Sequence, residues 1–442
     1  MARTSADRAA RTLNWLTVPA YGRGRLNDDE RLRGATASLS SSVESTRTTR
    51  IVTGSAWAVV AALAVFLMVQ RYRDALATGV GMDLGFWLDA VDILRGGGDP
   101  YDAEWYTYTP LTAWVLLLFP DRATAMAVWT TVQLAAGAAA IGFVVAAHRR
   151  ILPAWRAPLV AGLAVFTLFY SKVLSIELFL GQNQLMIMAL LAAAVLVANR
   201  RPVIAGMLLA VAALVKTWPL LFGVWLVRSG ARNRIRAILA WLATMVAFAV
   251  VMVITLGPAS IPRLIERTLA LREQPLAVYS VWFFARHRQA SGESPTPFAE
   301  AAPAGQAVTL VLLVCMLGLI VLALLRPGTA SLAMWNLSGA VVLLLPVSHP
   351  FYRLLILPLL WVWCAELLGR RAKVLPSIAV ASLGLWWVLT ARIVDPVEHT
   401  GWAPWAVVVS TVVVVALSTI FAALSTRAPA YDESRSKVEA TA

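Results

Sequence analysis

The chain has 442 residues, of which 59% are apolar and only 14% charged, with a mean hydropathy of +0.71. That balance excludes an ordinary soluble domain and a disordered chain alike. The formal charge of +14 would suggest nucleic acid in a soluble protein, but here the arginines stand in short blocks between apolar runs. That is the pattern of membrane topology signals, and no nucleic-acid partner is implied.

Residues 1–50 hold nine arginines, five acids and little apolar periodicity, so a disordered cytoplasmic tail is expected there. A membrane domain is expected over 51–424 and a second polar tail over 425–442. The first span is 51–70. The block 71–110 carries three arginines against seven acids, which places it outside. Within it Leu84, Trp87, Leu88, Val91 and Leu94 recur at helical spacing, while Asp89, Asp92 and Arg95 fall on another face. The stripe suits a helix lying in the membrane surface, with Asp83 at its start, and Gly96, Gly97, Gly98 and Pro100 end it. Leu111–Phe119 reads as a second short surface helix.

Spans follow near 123–147, 157–176 and 183–198, the last two joined at Glu177-Leu178-Phe179-Leu180-Gly181-Gln182-Asn183-Gln184. Gln182 and Asn183 can cap a helix there or contact a substrate. The stretch 203–227 has arginines at both ends and Lys216-Thr217-Trp218-Pro219 at its centre. One continuous helix would break the charge pattern and bury an ammonium at mid-bilayer, at roughly 3 kcal/mol. Two short helices folded as a hairpin solve both problems, with Pro219 opening the second. Span 237–256 leads to a long outer loop, 257–305, rich in arginine. Spans near 306–325, 330–346, 352–368, 375–391 and 403–424 complete the chain. The expected fold is an all-α polytopic membrane protein with about twelve segments and both termini inside. Cys315 and Cys364 lie in apolar runs without disulfide or metal-ligand spacing, and no Walker-type loop is present.

The pattern Asp83-Leu84, Ala90, Leu94, Gly96, Pro100-Tyr101-Asp102 and Tyr108-Thr109-Pro110-Leu111 resembles the first outer loop of glycosyltransferase family 87. Gly181-Gln182-Asn183, the Lys-x-x-Pro of Lys216 and Pro219, and the turn Ser348-His349 resemble further motifs of that family, so the resemblance runs over residues 50–425. The family usually has Tyr-Pro-Pro where this chain reads Tyr108-Thr109-Pro110. The resemblance implies a membrane GT-C fold and transfer of mannose or arabinose from a polyprenyl-phosphate carrier, with Asp83 in the place of the catalytic carboxylate. It also marks Tyr101, Tyr108, Gln182 and Asn183 as substrate-binding candidates.

Such chemistry needs a base for the acceptor hydroxyl and cations for the leaving phosphate. Asp83 is the expected base, and Lys216, His349, Arg286 and Arg353 are the expected phosphate-binding groups. His349 can equally be a satisfied interface histidine. A lone base with direct displacement inverts the anomeric centre. No cofactor is called for and no divalent metal is demanded; Asp89 and Asp92 read as solvated faces of the surface helix, with a metal site there as the alternative. The expected activity is α-mannosyl transfer from polyprenyl-phosphate-mannose to a cell-envelope glycolipid, such as a phosphatidylinositol mannoside, on the outer face of the cytoplasmic membrane. An arabinofuranosyltransferase and, from another class, a lipid or solute transporter remain open. Trp105, Trp218 and Trp282 can stack on sugar rings or belong to the aromatic belt.

Overall fold

Seven of the described helices are long and apolar enough to cross a membrane, and one bent pair and four shorter apolar helices accompany them. The computed structural model describes residues 28–79, 81–231, 233–270, 279–286, 301–346, 348–369, 373–393 and 403–425. It divides into Met1–Val52 and Thr53–Ala442, and all of the candidate site belongs to the second unit. Helix α1 (Asp28–Ala77) begins before the expected residue 51, and its membrane-length part is Thr48–Ala77. Residues 271–278 and 287–300 of the expected loop 257–305 and nearly all of the expected second tail lie outside the described residues.

Two short helices follow α1, as the polarity pattern predicts. In α2 (Met82–Arg95) the stripe Leu84, Trp87, Leu88 and Val91 is buried together with Ala90. Burial of each large apolar side chain contributes roughly 1.5–3 kcal/mol. The opposite face holds Asp89 and Asp92, which ion-pair with Arg122 at 2.6 and 2.7 Å. Helix α3 is Pro110–Leu116.

The next span, α4 (Arg122–His148), is continuous, but the one expected over 157–176 is not. It divides into α5 (Ala157–Phe169) and α6 (Lys172–Leu180), which meet at 58°. Ser171 caps α6 by accepting the Val173 N–H. The carbonyls freed at the break are taken by distant donors: Arg71 Nε donates to Phe169 O at 2.8 Å, and Arg392 Nη1 to Tyr170 O at 3.2 Å. A break at membrane depth persists only with such partners.

Helices α7 (Gln184–Val197) and α8 (Pro202–Val215) follow. The stretch 203–227 is indeed broken at Lys216, whose backbone is extended, and a 3₁₀ helix (Trp218–Val227) opens with Pro219. Helix α9 (Arg234–Leu256) returns alongside α8, so that α4, α7, α8 and α9 pack in that order. Helix α10 (Ser260–Ala270) is amphipathic, and α11 (Phe283–Arg286) is a single turn.

The remaining helices are α12 (Pro303–Leu325), α13 (Ala330–Leu344), α14 (Leu357–Gly369), α15 (Val374–Val388) and α16 (Ala403–Ser425). A 3₁₀ helix, Pro350–Ile356, precedes α14. Helix α13 is the hub: Ser331 to Leu343 are all buried, and it touches both 3₁₀ helices, α7, α12, α14 and α16. Phe351 to Ile356 of the second segment are thereby buried in protein, as non-helical backbone at membrane depth requires, whereas the first buries Pro219, Phe222, Trp225 and Leu226 and leaves Leu220, Leu221, Val224 and Val227 exposed.

Candidate active site

Asp83 stands in the first turn of α2, beside the loop between α6 and α7. Two glycines make that approach possible. A Cβ on Gly81 would run into the Phe179 carbonyl oxygen, and one on Gly181 would sit 2.5 Å from Leu84 Cβ. Gly181 ends α6 in the left-handed conformation at φ +74°, which glycine adopts without a Cβ penalty. Trp129 of α4 fixes the same turn by donating Nε1 to Gly181 O at 2.8 Å.

The turn carries Gln182, and its amide joins two charged groups. Gln182 Nε2 donates to Asp83 Oδ2, and Gln182 Oε1 accepts from Lys216 Nζ at 2.8 Å. The result is a chain of carboxylate, amide and ammonium drawn from three segments. Lys216 is buried, and its ammonium lies 4.9 Å from the Tyr352 ring centre, 5.4 Å from Tyr108 and 5.5 Å from Phe351. These π-faces offset part of the desolvation of the charge. The His349 ring stacks on Phe351 at 5.0 Å and meets Tyr352 edge-on at 5.5 Å, which puts it at the rim of the same cluster. Trp218 packs on Tyr352 from another side at 5.2 Å.

Burial pushes the Asp83 carboxyl above its ordinary value, while Lys216 and the Gln182 hydrogen bond pull it partly back. The ionised group is therefore a stronger base than a solvated aspartate, yet it keeps a cation and a hydrogen-bond donor beside it. Such a group can take a proton from a hydroxyl. The neighbouring ammonium has three N–H donors, of which Gln182 occupies one, so it can also hold an anion.

The sequence candidates thus divide into two sets. Asp83, Lys216, Gln182, Tyr108 and His349 come together. Tyr101 is buried and braces the loop, donating its hydroxyl to Tyr108 O at 3.2 Å. Asn183 does not cap α7; its Nδ2 donates to Val215 O at 3.2 Å and ties the loop to the break before Lys216. Arg353 turns away, donating to Pro350 O at 2.9 Å and Thr390 O at 3.0 Å with its guanidinium over Tyr279. Arg286 ends α11, and its side chain lies outside the described residues, as do His287 and Arg288. Asp89 and Asp92 are engaged by Arg122, and among the described residues there is no cluster of three potential metal ligands. Trp105 is exposed against Phe86, and Trp282 donates to Leu344 O at 2.9 Å.

One residue was missed. Glu177 is fully buried, and its carboxylate accepts the Gln184 N–H. The signal was there to read, since an acid inside an apolar run is a functional candidate by default.

The model of glycosyltransferase family 87 matches residues 106–348, more than half of the chain. That stretch holds Tyr108, Gln182, Asn183 and Lys216; Asp83 precedes it and His349 is the next residue beyond. The crystal structure of ArnT from Cupriavidus metallidurans bound to undecaprenyl phosphate is similar, with a TM-score of 0.46 at 15% identity, over 83% of this chain and 75% of that one. No curated protein sequence matches the chain.

Proposed function

The chain belongs to glycosyltransferase family 87, and on that footing we propose that it transfers a mannosyl residue from polyprenyl-phosphate-mannose to a glycolipid of the cell envelope. It is a multi-pass membrane glycosyltransferase. The observation that supports the finer reading best is the Asp83–Gln182–Lys216 chain, which sets a base and a cation side by side at the start of a surface helix. In the proposed reaction the Asp83 carboxylate accepts the proton of the acceptor hydroxyl as that oxygen bonds to the anomeric carbon. The bond from that carbon to the carrier phosphate breaks, and its electron pair leaves with the phosphate.

Lys216 stabilises the charge that grows on the leaving oxygen, with His349 at the rim as a second donor. With Asp83 as a lone base, displacement is direct and the anomeric centre inverts. The aromatic faces of Tyr108, Phe351 and Tyr352 exclude water from the ammonium and strengthen its field. The acceptor is a phosphatidylinositol-mannoside-like glycolipid or lipoglycan, and the site faces outside the cytoplasmic membrane.

The test is incubation of the purified protein with radiolabelled polyprenyl-phosphate sugars and an envelope glycolipid extract. Label from the mannosyl donor is expected in the glycolipid. Label from a decaprenyl-phosphate arabinose donor instead would transfer the assignment to an arabinofuranosyltransferase. Label that crosses the bilayer of a reconstituted vesicle without changing its carrier would make the protein a transporter.

A further inference from the structure

We propose that Glu177 is a positioning residue for this transfer: its carboxylate and carbonyl hold the turn at 181–184 in the register that lets Gln182 span Asp83 and Lys216. The inference rests on the transfer reading above.

The turn is gripped at two points by one residue. The Gln182 N–H donates to the Glu177 carbonyl at 2.9 Å, and the Gln184 N–H donates to the Glu177 carboxylate. Gln182 therefore lies between two backbone anchors that both end on Glu177. Asn183, at the N-cap of α7, leaves that duty undone: its Nδ2 donates to Val215 O and its Oδ1 makes no cap hydrogen bond. A local Ser, Thr or Asp could have capped α7 without burying a charge. A glutamate seven residues upstream does something more, since it also sets a second carboxylate near the ammonium that faces Asp83. Lys216 interacts electrostatically with both Asp83 and Glu177, and the Tyr108 and Tyr352 hydroxyls and the His349 ring at the rim are the other titratable groups facing this cluster among the described residues. Among the described residues the second carboxylate oxygen of Glu177 has no hydrogen-bond partner. Burying a carboxylate in an apolar helix is costly without such a role.

Glu177 touches neither the proposed base nor the proposed substrate, so its effect must pass through Gln182. Three variants separate this role from general stability. Glu177→Gln keeps an oxygen that can accept the Gln184 N–H and should retain transfer within a few-fold. Glu177→Leu removes the anchor and should lower kcat on the order of 10²-fold with little change in KM for the lipid donor, the usual effect of misplacing a reacting group. The double variant Glu177→Leu/Gln182→Ala should be no slower than Gln182→Ala, because the two residues act as one unit.

Hydrogen exchange supplies a readout that does not depend on turnover. The Gln184 amide, held by the carboxylate, should lose protection in Glu177→Leu and keep it in Glu177→Gln, while the Gln182 amide, held by the backbone carbonyl that each variant retains, and those of α7 beyond its first turn stay protected. If Glu177→Leu does not fold, Glu177→Asp, one methylene short, should show the same loss of rate and of protection at Gln184. Unchanged protection at Gln184, or losses that multiply in the double variant, would overturn the inference. A wild-type protein that transfers no lipid-linked sugar would remove the transfer reading, and the exchange measurement would still decide the role of Glu177 in the turn.

Discussion

Gly181→Ala is the sharpest test of how tightly the site is assembled. The new methyl would lie 2.5 Å from Leu84 Cβ, the side chain next to Asp83. Carbon atoms pack at about 3.5–4.0 Å, so α2 and the turn must separate by about 1–1.5 Å. The backbone adds its own cost, because a φ of +74° is strained by about 1–2 kcal/mol once a Cβ is present. A shift of that size breaks the hydrogen bond between Gln182 and Asp83, and misplacement by 1 Å costs on the order of 10²-fold in rate. The assay is transfer of labelled sugar by purified wild-type and variant protein, with thermal unfolding followed in parallel. Gly85→Ala is the control: it lies in the same helix, one residue past Leu84, and its Cβ would meet nothing within 4 Å. It should leave transfer unchanged and strengthen the helix by roughly 0.5–1 kcal/mol. Transfer by Gly181→Ala within threefold of wild type, on a rough scale set by the same misplacement argument, would refute the reasoning.

Three further outcomes are expected. Asp83 must be ionised to act as a base, so transfer should fall as pH drops through its raised pKa, and the acid limb should lie above the ordinary 3.8. Because Lys216 pulls that pKa down, Lys216→Met should move the limb to higher pH as well as slow turnover; a limb that stays in place contradicts the electrostatic account. The same sign governs stability: folding favours protonated Asp83, so its contribution is full below the ordinary pKa and is lost as pH rises through the raised one. Asp89→Asn and Asp92→Asn remove exposed ion pairs with Arg122, worth about 0–1 kcal/mol each, and should leave transfer near wild type in the same assay. Arg71→Met deprives the Phe169 carbonyl of its donor at the α5–α6 break and should destabilise the protein by about 1–3 kcal/mol in reversible unfolding.

Much of this architecture was legible in the residues. The stripe Leu84, Trp87, Leu88 and Val91 announced a helix with one buried face, and the arginine blocks around 203–227 required the break that the backbone makes at Lys216. Both are local arguments, from periodicity and from the cost of an ammonium in an apolar run. The bend after Phe169 was not legible. It contains neither proline nor glycine, and it depends on Arg71, 98 residues away in the chain. Gln182 illustrates the same limit. Its position in a turn suggested a cap or a substrate contact, whereas its partners Asp83 and Lys216 lie 99 and 34 residues away. Arg353 illustrates it too. A cation after His349-Pro350 suits a phosphate by residue type, whereas its bonds to the backbone carbonyls of Pro350 and Thr390 are visible only in the fold.

The central claim is that Asp83 is the base. Asp83→Asn keeps the size and polarity of the side chain and removes its proton acceptor. Single-turnover transfer from preloaded polyprenyl-phosphate-mannose to glycolipid measures the chemical step without product release. The account predicts a rate lower by about 10²–10⁴-fold with donor binding retained. Single-turnover transfer by Asp83→Asn at the wild-type rate would contradict it.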